Sequence, residues 1–337
     1  MQAAAILGLG SSTRELKPFE RDSRVDWVVG QPAQSEGLDA ILVFGGDGTV
    51  HRHLAALVKL SLPVLVVPAG SGNDFARALG VLSVSDSVGA WRKFVCGAGN
   101  VRVVDLGAIT PLAVTDSYQG TPSGVPQQSP QGSRLQPPSS LEDAARSDLP
   151  AQDATLTPSD QSARPVYFSC AAGVGLDGEI ARRANSFPRW LRAHGGYALS
   201  LPAALARFRP FDLKISVSQG EPAEFCLRTQ QPVVAAVFAN TPVYGGGMKI
   251  APKAQMDDGL LDVCVIRDMS KLKLLSVFPS VYLGKHLEIR EVDYFAAARV
   301  RVETERPLDV YADGEYVGRT PVDIGVAKNA LRVIIPG

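Results

Sequence analysis

An apolar run, Ile41-Leu42-Val43-Phe44, passes straight into Gly45-Gly46-Asp47-Gly48-Thr49, and this join limits the possible folds more than any other feature. A second unit of the same build follows, in which Val64-Leu65-Val66-Val67-Pro68 leads into Ala69-Gly70-Ser71-Gly72-Asn73-Asp74. Short apolar runs without polar alternation suit strands buried on both faces. Glycines let the main chain approach a ligand closely, and a helix that follows them turns the positive end of its dipole toward an anion. Two such units in succession predict a parallel α/β sheet whose loops, at the carboxyl ends of its strands, offer bare amides to nucleotide phosphates. Neither loop contains Gly-Lys-Ser/Thr, so charge neutralisation falls to main-chain N–H groups, Thr49, Ser71 and a metal.

The alternation continues around these units. Strand-like runs at Ala4 to Leu7, Asp39 to Phe44, Pro63 to Val67 and Val101 to Leu106 are interleaved with helical patterns at His51 to Leu60, Asp74 to Leu79 and Val84 to Phe94. Asn73 or Asp74 is expected to cap the second helix. Residues 115–165 break the pattern. They are rich in Pro, Gln, Ser, Gly and Asp and poor in large aliphatics, so an insertion too polar to offset its ordering entropy is expected to be disordered. The chain resumes at Val166 to Cys170. Strands then dominate: Leu213 to Val217, Val233 to Asn240, Leu260 to Ile266, Ala298 to Glu303, Leu308 to Ala312 and Leu331 to Ile335. Helical patterns interrupt near 177–208 and 270–284. The second half reads as a β-sandwich.

Charge is balanced, with 34 basic and 34 acidic residues, so no global field selects nucleic acid or an anionic membrane. Cys96, Cys170, Cys226 and Cys264 lie far apart and read as idle thiols of a reducing compartment, the cytoplasm. No apolar run reaches the ~20 residues needed to span a bilayer. One local patch stands out: Ile180 to Pro210 carries Arg182, Arg183, Arg189, Arg192, Arg207 and Arg209 without an acidic residue, interleaved with Phe187, Trp190, Leu191 and Tyr197. It suits either a solvated helix face or peripheral contact with the inner membrane surface.

Asp47, Asp74 and Asp105 each end a strand-like run. Three carboxylates on one sheet edge repel each other unless a cation lies among them, and Mg²⁺ is the natural one beside phosphate oxygens. Asp313, in Ala312-Asp313-Gly314-Glu315, reads from spacing as a hairpin turn. His51, His53, His194 and His286 read as non-ligands, and Gly245-Gly246-Gly247 as a close backbone approach inside the second domain.

Taken together, Phe44 to Thr49, Pro68 to Arg77, Val104-Asp105-Leu106-Gly107, Gly173-Val174-Gly175-Leu176-Asp177, Asn240, Tyr244 to Pro252, Asp258 to Asp262 and Asp313-Gly314-Glu315 resemble, in order, the diacylglycerol kinase catalytic-domain family. The likeness is strongest to its bacterial soluble lipid kinases, kin of sphingosine and ceramide kinases. The resemblance implies an amino-terminal domain of NAD kinase and phosphofructokinase type at 1–109, which the segment 320–337 can rejoin. A β-sandwich lipid-substrate domain at 110–319 would contain the insertion. It implies an ATP- and Mg²⁺-dependent kinase acting on a hydroxyl of diacylglycerol or a related lipid. Gly45, Gly46, Asp47, Gly48, Thr49, Gly70, Ser71, Gly72 and Asn73 would cradle the nucleotide. Asp47, Asp74 and Asp105 would form the catalytic Mg²⁺ network, and Gln255, Asp258 and Leu260 would hold a structural Mg²⁺. Asp313 would be the general base, with Glu315 beside it.

Two places depart from the family's usual pattern. Gly8-Leu9-Gly10-Ser11-Ser12 stands where Asn-Pro usually follows the first strand, and His51-Arg52 where Asn-Glu usually follows the first glycine loop. An NAD kinase, which shares the Gly-Gly-Asp-Gly-Thr loop, and a non-catalytic nucleotide or lipid sensor are the alternatives.

Overall fold

Neighbouring residues of the first strands face opposite ways, into two separate cores. In β1 (Gln2–Leu7), Ala4 and Ile6 enter one core while Ala3 and Ala5 enter the other. In β3 (Ala40–Gly45), Ile41 and Val43 oppose Ala40, Leu42 and Phe44 in the same way, and in β4 (Val64–Pro68) Val64 and Val66 oppose Leu65 and Val67. Both faces are therefore dry, which is why these runs carry no polar alternation. The computed structural model describes residues 1–21, 23–112, 165–185, 187, 196–218 and 224–337. The expected insertion, 115–165, lies outside these residues except for Pro165.

β1 pairs in parallel with β2 (Asp26–Val29) and β3, and β3 with β4. Helix α1 (Asp47–Leu60) covers the first core with Val50, Leu54, Leu57 and Leu60 at helical spacing and ends on Ser61 in the left-handed region. Helix α2 (Asp74–Ala78) follows β4, adding Phe75 and Ala76 to that core. Helix α3 (Val84–Val95) covers the other face with Ala90 and Trp91. A capping box fixes its start: the Asp86 amide donates to Ser83 Oγ at 3.2 Å, and the Ser83 amide donates to Asp86 Oδ2 at 2.8 Å.

β5 (Val101–Pro111) runs beyond its expected end and pairs antiparallel with β6 (Val166–Phe168) and β15 (Val322–Ile334). β15 is parallel to β4 near its end and antiparallel to β12 (Arg299–Thr304) near its start, with a register shift between Ala327 and Leu331. One strand thus continues the α/β sheet into the antiparallel strands. β9 (Cys226–Ala239) makes a similar passage. Its first half pairs with β8 (Phe211–Ser218), its second half with β7 (Ala171–Gly175) and β10 (Leu261–Arg267). The layers close over a core that includes Phe168, Leu213, Phe238, Val263, Val302 and Ile324, giving the expected sandwich. β10 also pairs with β11 (Val292–Ala297), and β13 (Asp309–Ala312) joins β7 to β14 (Glu315–Arg319).

Helices α4 (Leu176–Asn185) and α5 (Gly196–Arg207) follow β7, and α6 (Lys271–Val277) and α7 (Pro279–Leu283) follow β10. In the basic run, Arg182 and Arg183 both pair with Glu179, one helical turn before them, so part of the expected positive face is neutralised. Residues 188–195 of that run lie outside the described residues.

Candidate active site

Gly45 pairs with Pro68 at the ends of β3 and β4, so both glycine loops leave the sheet side by side. They meet backbone to backbone: a Cβ on Gly70 would stand 2.3 Å from Gly46 Cα, and one on Gly46 would stand 2.8 Å from Gly70 Cα. A Cβ on Gly45 would fall 2.4 Å from Thr49 Oγ1. Glycine is required here by contact. Asn73, with φ 55°, braces the second loop by accepting from the Gly70 amide at 2.9 Å and donating to the Gly70 carbonyl at 2.8 Å. Ser71 is exposed at the tip, and Gly72 backs onto Asp47 Oδ2.

Asp47 opens α1 and caps its neighbour. Its two oxygens accept from the Asp74 and Phe75 amides, each at 3.0 Å, while Asn73 occupies the expected N-cap position of α2 without a side-chain cap bond of its own. Burial, and next the Asp74 carboxylate, push Asp47 up to about 6; Asp313 adds to the rise. Burial also raises Asp74, against the lowering pull of the Gly246 amide, 2.7 Å away, and of its ion pair with Arg77. The contact from Gly246 corrects the expectation for the three glycines. All have positive φ (63°, 86° and 94°), and their loop reaches out of the sandwich to a carboxylate at the end of the α/β sheet.

Asp313 occupies a left-handed turn position, φ 50°, between β13 and β14, followed by Gly314 at 85°. The hairpin reading holds locally, but the side chain points inward and is 0% exposed. Its Oδ1 accepts from the Cys170 amide at 2.8 Å and the Ala171 amide at 3.3 Å. Its Oδ2 accepts from the Ser169 amide at 2.7 Å and the Ser169 hydroxyl at 3.1 Å, and meets His51 Nδ1 at 3.2 Å. Glu315 is exposed and lays Oε1 2.9 Å from where a Gly48 Cβ would be. After burial, the causes that raise the Cys170 thiol are Asp313, Asp47 and Asp74. The three carboxylates therefore lie within electrostatic reach of one thiol.

Asn240 Nδ2 donates to both the Asp105 carbonyl, at 2.9 Å, and the Ser169 carbonyl, at 3.1 Å. The Asp105 carboxylate accepts from the amides of Gly259 at 2.8 Å and Asn329 at 2.7 Å, which ties it to the turn after Asp258 and to β15. At that turn Asp258 Oδ1 accepts from the Leu260 amide at 2.9 Å, Gln255 is exposed, and Lys328 packs against Gly259. Among the described residues no group of three or more His, Cys, Asp or Glu is arranged to hold a metal.

The same glycine loop reaches a second acid. Tyr244 donates its hydroxyl to Asp177, whose oxygens lie at 2.9 and 3.0 Å, and burial pushes Asp177 up to about 6 against that bond. Beside this pair lies an apolar cavity lined by Leu176, Ile180, Met248, Leu274, Phe278 and Val281.

Two families account for most of the chain. The diacylglycerol kinase catalytic domain matches residues 12–109, and the YegS C-terminal NAD kinase beta sandwich-like domain matches residues 170–335. The chain belongs to the diacylglycerol kinase catalytic-domain family. Among its relatives, a diacylglycerol kinase of Mycobacterium tuberculosis is 29% identical over 304 residues, covering 90% of this chain and 79% of that one. A diacylglycerol kinase of Bacillus subtilis is 23% identical over 309 residues, covering 88% and 78%. The crystal structure of a diacylglycerol kinase from Bacillus anthracis shares the fold, with a TM-score of 0.59 at 18% identity over 99% of this chain and 96% of that one. For this kinase-family chain, the motif resemblance and the family match agree over both halves.

Proposed function

We propose that the chain transfers the γ-phosphoryl group of ATP to a hydroxyl of diacylglycerol or a related lipid. One observation carries this reading: the Tyr244–Met248 loop touches both halves of such a reaction. Its Gly246 amide holds Asp74 beside the glycine loops, and its Tyr244 hydroxyl holds Asp177 beside the apolar cavity. A phosphate cradle and a greasy hollow share one short segment.

The bare loops at Gly45, Gly46, Gly48, Thr49, Gly70, Ser71, Gly72 and Asn73 would seat the phosphates. A Mg²⁺ ion fits Asp47 and Asp74, because burial raises both carboxylates and Asp74 raises Asp47 further, so the pair gains from a hard divalent cation, and Mg²⁺ commonly takes one or two carboxylates plus phosphate oxygens. When bound, it would neutralise the charge that builds on the transferring group. Asp105 would then support the fold of the Gly259 turn. The acceptor hydroxyl would enter from the cavity toward the Asp313 turn, where Glu315 and His51 also lie. The exposed Leu199 and Arg209 would let the described part of the basic run rest on the lipid surface. Labelled ATP offered in parallel to NAD and to mixed-lipid micelles tests the reading. Label should appear in a lipid phosphate; label in NADP alone would overturn it.

A further inference from the structure

Asp313 is poorly placed to take a proton itself. An ionised carboxylate offers about four lone-pair sites, and five donors already crowd this one: the amides of Ser169, Cys170 and Ala171, the Ser169 hydroxyl and His51 Nδ1. Its side chain is fully buried, whereas His51 keeps 11% exposure. Because the carboxylate can only accept, the shared proton belongs to Nδ1, and the Nε2 lone pair is left pointing away from Asp313. Among the described residues Nε2 has no hydrogen-bond partner. His51 also lies one helical turn from Asp47 on α1, on the same face.

We propose that His51 Nε2 is the general base of the transfer, and that Asp313 is a positioning residue that fixes its tautomer and ring orientation. This rests on the lipid-kinase reading above. As the lipid oxygen bonds to the γ-phosphorus, its proton passes to Nε2. The bond from phosphorus to the bridging oxygen breaks, its electron pair leaves with ADP, and the imidazolium later returns the proton to solvent. The arrangement repeats the logic of a His–Asp pair in acyl transfer, with a lipid alcohol in place of a serine. The charged groups around the imidazole are Asp313 at Nδ1, Asp47 on the preceding turn, Asp74 bound to the Asp47 centre, and Glu315 against Gly48.

The test compares wild type, His51→Ala, His51→Asn, Asp313→Asn and the double variant His51→Asn/Asp313→Asn with labelled ATP and diacylglycerol micelles, across pH and with added imidazole. His51→Asn keeps a donor toward Asp313 but removes the base, and it carries the test should His51→Ala not fold. Both His51 variants should lose about 10²–10⁴-fold in kcat with KM for ATP within about threefold of wild type. They should also change the shape of the wild-type pH–rate profile. Imidazole should restore part of the turnover of His51→Ala, which a purely structural role would not allow. His51→Asn/Asp313→Asn should be little worse than His51→Asn, since the pair acts as a unit. A folded His51→Asn with near-wild-type kcat and an unchanged pH profile would overturn the assignment while leaving the kinase reading intact. A wild-type protein that phosphorylates no lipid would overturn both.

Discussion

At the scale of single residues, the site is built from groups that would be costly anywhere else. Gly70 is the plainest case, since any side chain there meets Gly46 main chain at 2.3 Å. Gly70→Ala should cost about 1–3 kcal/mol as overpacking and weaken ATP binding, read from urea melts and from KM; an unchanged melt would contradict the close packing of the loops. Asp177 makes a pH prediction. Its value rises from 3.8 to about 6 on folding, so its contribution to stability is fully present below about 3.8 and is lost as pH rises through about 6. Asp177→Asn should remove that loss. Relative to wild type, the variant should gain roughly 2–3 kcal/mol between about pH 4 and pH 7, measured by denaturant melts at each pH. A constant difference across that range would mean that Asp177 stays ionised throughout.

At the scale of elements, α1 carries the chemistry and the core together. Asp47 and His51 lie on its first turns, while Val50, Leu54, Leu57 and Leu60 anchor it. Leu54→Ala should cost about 2–5 kcal/mol and, by loosening the helix that positions Asp47, lower kcat more than an equally buried Leu→Ala change in the sandwich core would. Parallel calorimetry and turnover measurements check this. The elements are also where the sequence is most legible. β3, β4, α1 and α3 are set by contiguous apolar runs, helical spacing and a Ser83–Asp86 cap, all contained in a few neighbouring residues. β2 and β11 are not, because each takes its place from pairing with a strand more than twenty positions away along the chain. The three glycines at 245–247 read as a tight backbone approach, but nothing nearby in sequence says that Gly246 answers to Asp74, 172 positions away.

At the scale of the molecule, the separation between partners decides what could be foreseen. Asp47 and Asp74 could be placed at one sheet edge because parallel strands end in register. His51 and Asp313 are 262 positions apart, and their contact requires β13 to pair with β7 and the hairpin turn to tuck its carboxylate inward. Asp105 carries the same lesson, because β15, arriving from the far end of the chain, supplies the Asn329 amide that holds its oxygen. The family match covers both halves of the chain, and the hydrogen bond from the Gly246 amide to Asp74 ties those halves together.

The central claim is that carboxylates from separate stretches come together to serve one phosphoryl transfer, and Asp47→Ala tests it most directly. Folding is checked by circular dichroism, and lipid phosphorylation is followed with labelled ATP over a Mg²⁺ titration. The folded variant should lose about 10²–10³-fold or more in kcat and its response to Mg²⁺. Wild-type turnover and Mg²⁺ dependence in folded Asp47→Ala would contradict the account.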